Sequence, residues 1–295
     1  MGDIYNLYQL KSGDKMKITV LTENTKLKNS DLIAEHGISL FIEKNGYKIL
    51  FDTGGPQESA IKNASRLGID LRKVDAVIIS HGHDDHTGGL LKFFQINDKA
   101  PVYLKKEALG SYYSKRPEGE KYIGIDSEIP EKHMERLHFV DETAEIAQDV
   151  FLVPNIKKDF PISCSNHVLF KEINGKLVMD NFKHELFMVI ENDKDLTVLT
   201  GCGHSGTKNI VNTAKEVFPD KKIGTVIGGF HLQAGARTFE VAKKEEIEEI
   251  AEWLKLEATG QIYTGHCTGE RGFNIMKPIL SDKLKSIYTG MEITL

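Results

Sequence analysis

Six consecutive residues constrain this chain more than any other stretch: His81-Gly82-His83-Asp84-Asp85-His86. They follow directly on Val77-Ile78-Ile79, a short apolar run that reads as a buried strand. The chain must therefore end a strand and turn at once into a crowd of imidazoles and carboxylates. In an extended turn alternate side chains point the same way, so His81 and His83 can grip one cation. Asp85 and His86 then face a second cation close by. Imidazole and carboxylate suit zinc first, with manganese and iron also compatible. Two divalent ions in one site suit hydrolysis, because one lowers the pKa of water and the pair clamps attacking and leaving oxygens. The bland alternative is a solvated loop with incidental histidines.

The rest of the chain supports a site of this kind. Its 295 residues allow two domains, but no Pro/Ser-rich linker divides them, so residues 16–295 read as a single domain. Residues 1–15 lack an apolar segment and read as an N-terminal extension, not a signal peptide. Basic residues number 38 and acidic ones 43, well mixed, which argues against nucleic acid as a partner. No apolar run is long enough to cross a membrane. Cys164, Cys202 and Cys267 form neither a disulfide framework nor a zinc ribbon, and a reducing cytoplasm is the expected compartment.

One theme recurs along the chain. An apolar strand ends, a Gly-flanked loop carries His, Asp or Cys, and a helix begins. It occurs at Asp52, at 81–86, at Cys202 to His204, at His231 and at His266. Polar loops gathered at strand ends make a site at one edge of an α/β sheet. Helices are expected at 57–67, 87–95, 206–218, 239–256 and from about 268 to 280. Residues 105–135 are polar and read as a surface insertion, either a lid or a homodimer contact.

The segments Phe51-Asp52-Thr53-Gly54, IISHGHDDHTGGL, LTGCGHSG, GGFHL and TGHCTG together resemble the metallo-β-lactamase superfamily. The resemblance implies an αββα four-layer sandwich with the metal site at one edge of its two sheets. It implies that His81, His83 and His204 hold one ion and that Asp85, His86 and His266 hold the other. Asp52 would orient ligands. Cys202 stands where a metal-bridging Asp is usual and would bridge or flank the ions; a small buried Cys packing a strand end is the alternative. His184 is the main rival to His204, with Asp180 and Glu185 close by in sequence. His231 is either a substrate-facing His acting as general acid, alongside Asp85 as the other candidate catalytic group, or a buried structural one. Cys267 reads as packing. His36, His133, His138 and His167 read as structural or surface residues.

The motif set looks like one branch of that superfamily. It comprises metal-dependent hydrolases and synthases that join a dihydropterin pyrophosphate to an aminobenzene ribofuranosyl phosphate. An anionic substrate would suit Thr268 and Arg271 at one helix start and Lys208 at another, unless these are ordinary caps. There is no phosphate-binding G-x-x-x-x-G-K-[ST] loop and no G-x-S-x-G. The expectation is a two-metal enzyme acting on a phosphorylated or pyrophosphorylated small molecule, by hydrolysis or transfer. The alternative is a non-catalytic metal-dependent binding or sensor protein on the same fold.

Overall fold

Apolar residues occupy both faces of the central strands. In Met16–Thr22, Ile18 and Val20 point one way and Leu21 the other; in Tyr47–Phe51, Ile49 and Phe51 oppose Leu50. A strand of this kind must be covered on both sides, which requires layers above and below its sheet. The computed structural model describes residues 16–193, 195–234 and 240–295, so the expected extension over 1–15 lies outside the described residues.

Two seven-stranded sheets form the middle of the molecule. The first runs Glu292–Thr294, Met16–Thr22, Ser39–Lys44, Tyr47–Phe51, Ala76–Ile78, Val102–Leu104, Leu137–Phe139. The second runs Leu284–Ser286, Ile262–Thr264, Lys222–Gly228, Asp195–Leu199, Phe187–Glu191, Val150–Val153, Ala144–Ala147. Their inner faces share one core, where Ile18, Leu40 and Ile78 meet Leu152, Met188 and Ile227. Helices Ser59–Arg66 and Leu90–Ile96 cover the outer face of the first sheet through Ala60, Ala64 and Phe93. Helices Thr207–Val217, Lys244–Glu257 and Gly269–Leu280 cover the second through Ile210, Leu254 and Met276. The result is the α/β four-layer sandwich, αββα. Truncating a fully buried Leu or Ile in the shared core to Ala would cost about 2–5 kcal/mol.

Parallel pairing decides where the polar loops go. Strands 47–51, 76–78 and 102–104 run parallel, as do 195–199, 222–228, 262–264 and 284–286. Their carboxyl ends deliver Asp52, residues 81–86, Cys202, His231 and His266 to one edge of the sandwich.

Two segments add to the sequence reading. Within residues 105–135, read as a surface insertion, Tyr112–Arg116 and Gly119–Tyr122 form a hairpin in a further four-stranded sheet with Leu169–Ile173 and Lys176–Met179. Tyr112 and Ile123 anchor it by burying against Val168, Leu169, Phe182 and Ala234. The helix expected from 239 begins at Lys244, because the backbone of Glu240–Val241 pairs instead with Gln233–Ala234.

Candidate metal centre

Two groups of potential ligands stand side by side. His81, His83 and His204 each offer a ring nitrogen, and these lie within 4.8 Å of one another. Asp85, His86, Cys202 and His266 form the second group under the same limit. Cys202 also groups with His204 and His231, so its sulfur adjoins both.

The hydrogen bonds show why these residues fit cations. The Ser80 hydroxyl donates to Asp52, so it is free to accept from His81 Nδ1 at 2.9 Å. His204 Nδ1 donates to Asn166 Oδ1 at 2.9 Å, His86 Nδ1 to Asp52 Oδ2 at 2.7 Å, and His266 Nδ1 to Asn24 Oδ1 at 3.0 Å. Each acceptor fixes the proton on Nδ1 and leaves the Nε2 lone pair for a ligand, as outer partners of metal-bound histidines do. The Nε2 atoms of His81, His83 and His204 are buried and have no hydrogen-bond partner among the described residues. Three adjacent orphaned acceptors would be costly without a cation.

Three buried carboxylates hold the loops that present these ligands. Asp52 accepts from the Ser80 amide and hydroxyl, both at 2.7 Å. Glu185 accepts from the amides of His204 (2.8 Å) and Ser205 (2.6 Å). Glu23 accepts from the His266 amide at 2.7 Å. Asp52, His231 and His266 sit at φ 56°, 41° and 49°, a left-handed backbone that non-glycine residues rarely adopt and that concentrates at functional sites. At Gly201 an added side chain would collide with Ser80 and Asp52, so glycine is what lets the loops of the two sheets touch.

The two groups differ electrostatically. Burial and neighbouring imidazoles hold His81 and His204 well below the ordinary range, and burial takes His83 to about 3. These rings are neutral. In the second group burial is outweighed: the Asp85 and Asp52 carboxylates raise His86, and Cys267, Asp85 and Glu23 raise His266 to about 9. Burial pushes the Cys202 thiol up, so a thiolate there needs a cation beside it.

The remaining expected residues fall in distinct places. His231 lines the metal chamber beside His204, with ring centroids 4.1 Å apart and both ring nitrogens buried and unpartnered. His184 accepts from the Gly82 amide at 3.0 Å, so its other nitrogen is the protonated one and donates to Asp180 at 2.9 Å. Both its nitrogens are thus engaged, and it holds the turn between His81 and His83. Cys267 lines the chamber, its Sγ 3.4 Å from the Cys202 carbonyl oxygen and accepting from the His231 amide, and against burial its hydrogen bond with Cys202 and the adjacent His266 hold it well below the ordinary thiol range. Thr268 is buried, its hydroxyl engaged by the Phe230 amide and Thr264. Lys208 pairs with Glu249 and lies over the Phe160 ring. Arg271 donates to the Ala242 carbonyl and lines a cleft of about 940 Å³, which shares Gln233 and His266 with the chamber of about 70 Å³ at the ligands.

Sequence reasoning passed over several contributors. His36, read as structural or surface, lines the chamber, its Nε2 3.4 Å from Asp85 and its ring 4.8 Å from that of His266. Ser80, adjacent to the motif, was within reach of a local reading. Asn24, Glu23 and Asn166 were not, because no local pattern marks them.

Comparisons with known proteins agree with this fold. Residues 35–170 match the family described as the metallo-β-lactamase superfamily. The chain is 30% identical over 292 residues to a 7,8-dihydropterin-6-methyl-4-(β-D-ribofuranosyl)-aminobenzene-5'-phosphate synthase of Methanocaldococcus jannaschii, covering 95% of this chain and 97% of that one. A crystal structure of a metal-dependent hydrolase of the β-lactamase superfamily superposes with a TM-score of 0.79 at 33% identity, over 95% of this chain and 99% of that one. A diphosphatase from the PhnP family shares the fold at 16% identity, with a TM-score of 0.51 over 95% and 97% of the two chains. With this motif order, this layer architecture and near full-length similarity, the chain belongs to the metallo-β-lactamase superfamily.

Proposed function

We propose that this chain is a two-metal enzyme acting on a phosphorylated or pyrophosphorylated small molecule, with zinc the leading metal and manganese or iron as alternatives. One observation carries the reading: the donor set is poor in charge. The seven ligand candidates bring one carboxylate and one thiol, the other five being histidines. These cannot neutralise two divalent cations, so a loaded centre stays positive and favours an anionic ligand.

His81, His83 and His204 would hold one ion; Asp85, His86 and His266 would hold the other, with Cys202 adjoining both. When bound, the ions supply Lewis acidity toward phosphoryl oxygens and lower the pKa of water. The protein's own groups do the rest. Asp52, Asn166 and Asn24 fix the imidazoles, which keeps the centre preorganised. His231 faces the chamber with free nitrogens and is placed to hand a proton to a departing oxygen. The chamber admits little more than the reacting group, and the adjoining cleft with Arg271 and Phe273 accommodates the body of the substrate.

Transfer is the second reading, favoured by the synthase relative and by a cleft roomy enough for a second reactant. The test loads the protein anaerobically with zinc, manganese or iron, counts ions per chain, and follows phosphate and pyrophosphate release from phosphoesters and a dihydropterin pyrophosphate. Release without an aromatic amine acceptor selects hydrolysis; release that requires the acceptor selects transfer. Tight binding with no release under any metal would overturn the enzyme and leave a binding protein.

A further inference from the structure

Building on the anionic-substrate reading above, we propose that the hairpin Tyr112–Arg116 and Gly119–Tyr122 carries the anion-recognition element of the site: Arg116 and Lys121 hold the anionic group of the substrate over the metal ligands. The hairpin contributes Ser114, Arg116 and Lys121 to the lining of the small chamber, which His83, His204 and His266 also line. Apart from the histidines, the cationic residues lining that chamber are Arg116 and Lys121. The cations that the sequence suggested lie elsewhere. Lys208 is paired with Glu249, and Arg271 lines the larger cleft.

The hairpin is tied to the metal motif itself. The Asp84 amide donates to the Ile123 carbonyl at 2.7 Å, and Lys121 pairs with the Asp84 carboxylate at 3.1 Å. Asp84 lies between His83 and Asp85, so a shift of the motif moves the hairpin with it. The Lys121 side chain is 52% exposed and that of Asp84 28%, so their ion pair contributes at most about 1 kcal/mol. Lys121 can exchange this partner for a phosphate at little cost. Arg116 donates through Nε to Ser114 Oγ at 3.4 Å and has no carboxylate within ion-pair distance among the described residues. A guanidinium with no carboxylate in ion-pair contact among the described residues, lining the same chamber as the candidate ligands, is a bidentate donor for a phosphoryl group. The neighbouring Lys115 serves as a control, since it pairs with Glu120 and lies over the Phe170 ring, outside the chamber lining.

The experiment is titration calorimetry of inorganic pyrophosphate into the zinc-loaded full chain. It compares wild type, R116Q, K121Q, the R116Q/K121Q double variant and K115Q, with ions per chain and thermal midpoint measured on each. The double variant is expected to bind pyrophosphate 10- to 100-fold more weakly with its zinc content unchanged, the single variants falling between. K115Q should match wild type, and R116K/K121R should recover part of the loss. Binding within twofold of wild type in the double variant overturns the role of the hairpin and leaves the anionic-substrate reading standing. A wild type with no measurable affinity for pyrophosphate overturns that reading and the role of the hairpin together.

Discussion

The two ligand groups answer the same demand in opposite ways. His81, His83 and His204 are neutral, and their inward nitrogens have no partner among the described residues. Asp85, His86, Cys202 and His266 already satisfy one another: Cys202 Sγ lies 3.1 Å from His86 Nε2 and 3.3 Å from His266 Nε2, and Asp85 Oδ2 lies 3.2 Å from His266 Nε2. The first group is a set of waiting lone pairs. The second is a network held by protons, which a cation has to displace. Two sites a few residues apart in sequence can therefore differ in how they respond to pH and to loss of their outer partners.

The largest effect is expected from His83→Ala. It should remove the ion of the first group and lower turnover by about a thousandfold, the equivalent of roughly 4 kcal/mol of lost charge stabilisation. Elemental analysis showing unchanged metal content would break the assignment of that group. A smaller and more selective effect is expected from the orienting residues. Asp52 touches both groups, His86 directly and His81 through Ser80, so Asp52→Asn should weaken both ions by about 10- to 100-fold. Asn166→Ala should weaken only the first and Asn24→Ala only the second, measured by competition with a calibrated chelator. Equal losses at both sites in the two Asn variants would erase the distinction. The smallest effect is in the pH dependence. His266 holds a proton up to about 9, so affinity at the second group should rise with pH toward that value and binding should release protons. The first group is already neutral, so its affinity should stay flat between about pH 5 and 8. Calorimetry in buffers of different ionisation enthalpy, on His83→Ala and His266→Ala separately, reads the two slopes.

What the sequence discloses follows from the distance over which each feature acts. His81, His83, Asp85 and His86 are legible because strand and turn geometry are local and the spacing carries the chemistry. The layers are legible only through the family that the motifs resemble; the two-faced burial of strands such as Met16–Thr22 is visible in the structure. Glu23 and Asn24 escape notice because they meet His266 across 243 and 242 residues, and nothing near them marks the contact. The hairpin at 112–122 escapes because its sequence is polar: its apolar anchors are Tyr112 and the adjoining Ile123, and their partners lie at 168–182 and 234. What distinguishes His184 from His204 is an amide, Gly82 N–H, that occupies His184 Nδ1 and that composition cannot reveal. His36 reaches the chamber through a loop whose path depends on the docking of both sheets.

The pairing of Glu292–Thr294 with Met16–Thr22, together with the bond from Glu23 to the His266 amide, bears on how the protein is made. On the ribosome the motif at 81–86 emerges long before His204 and His266 exist to complete either ligand group. A nascent chain therefore displays the histidine turn while His204 and His266 are still untranslated. Contacts of such sequence separation form late and slowly. Completion of either candidate ligand group thus waits on closure of the second sheet around the histidine turn.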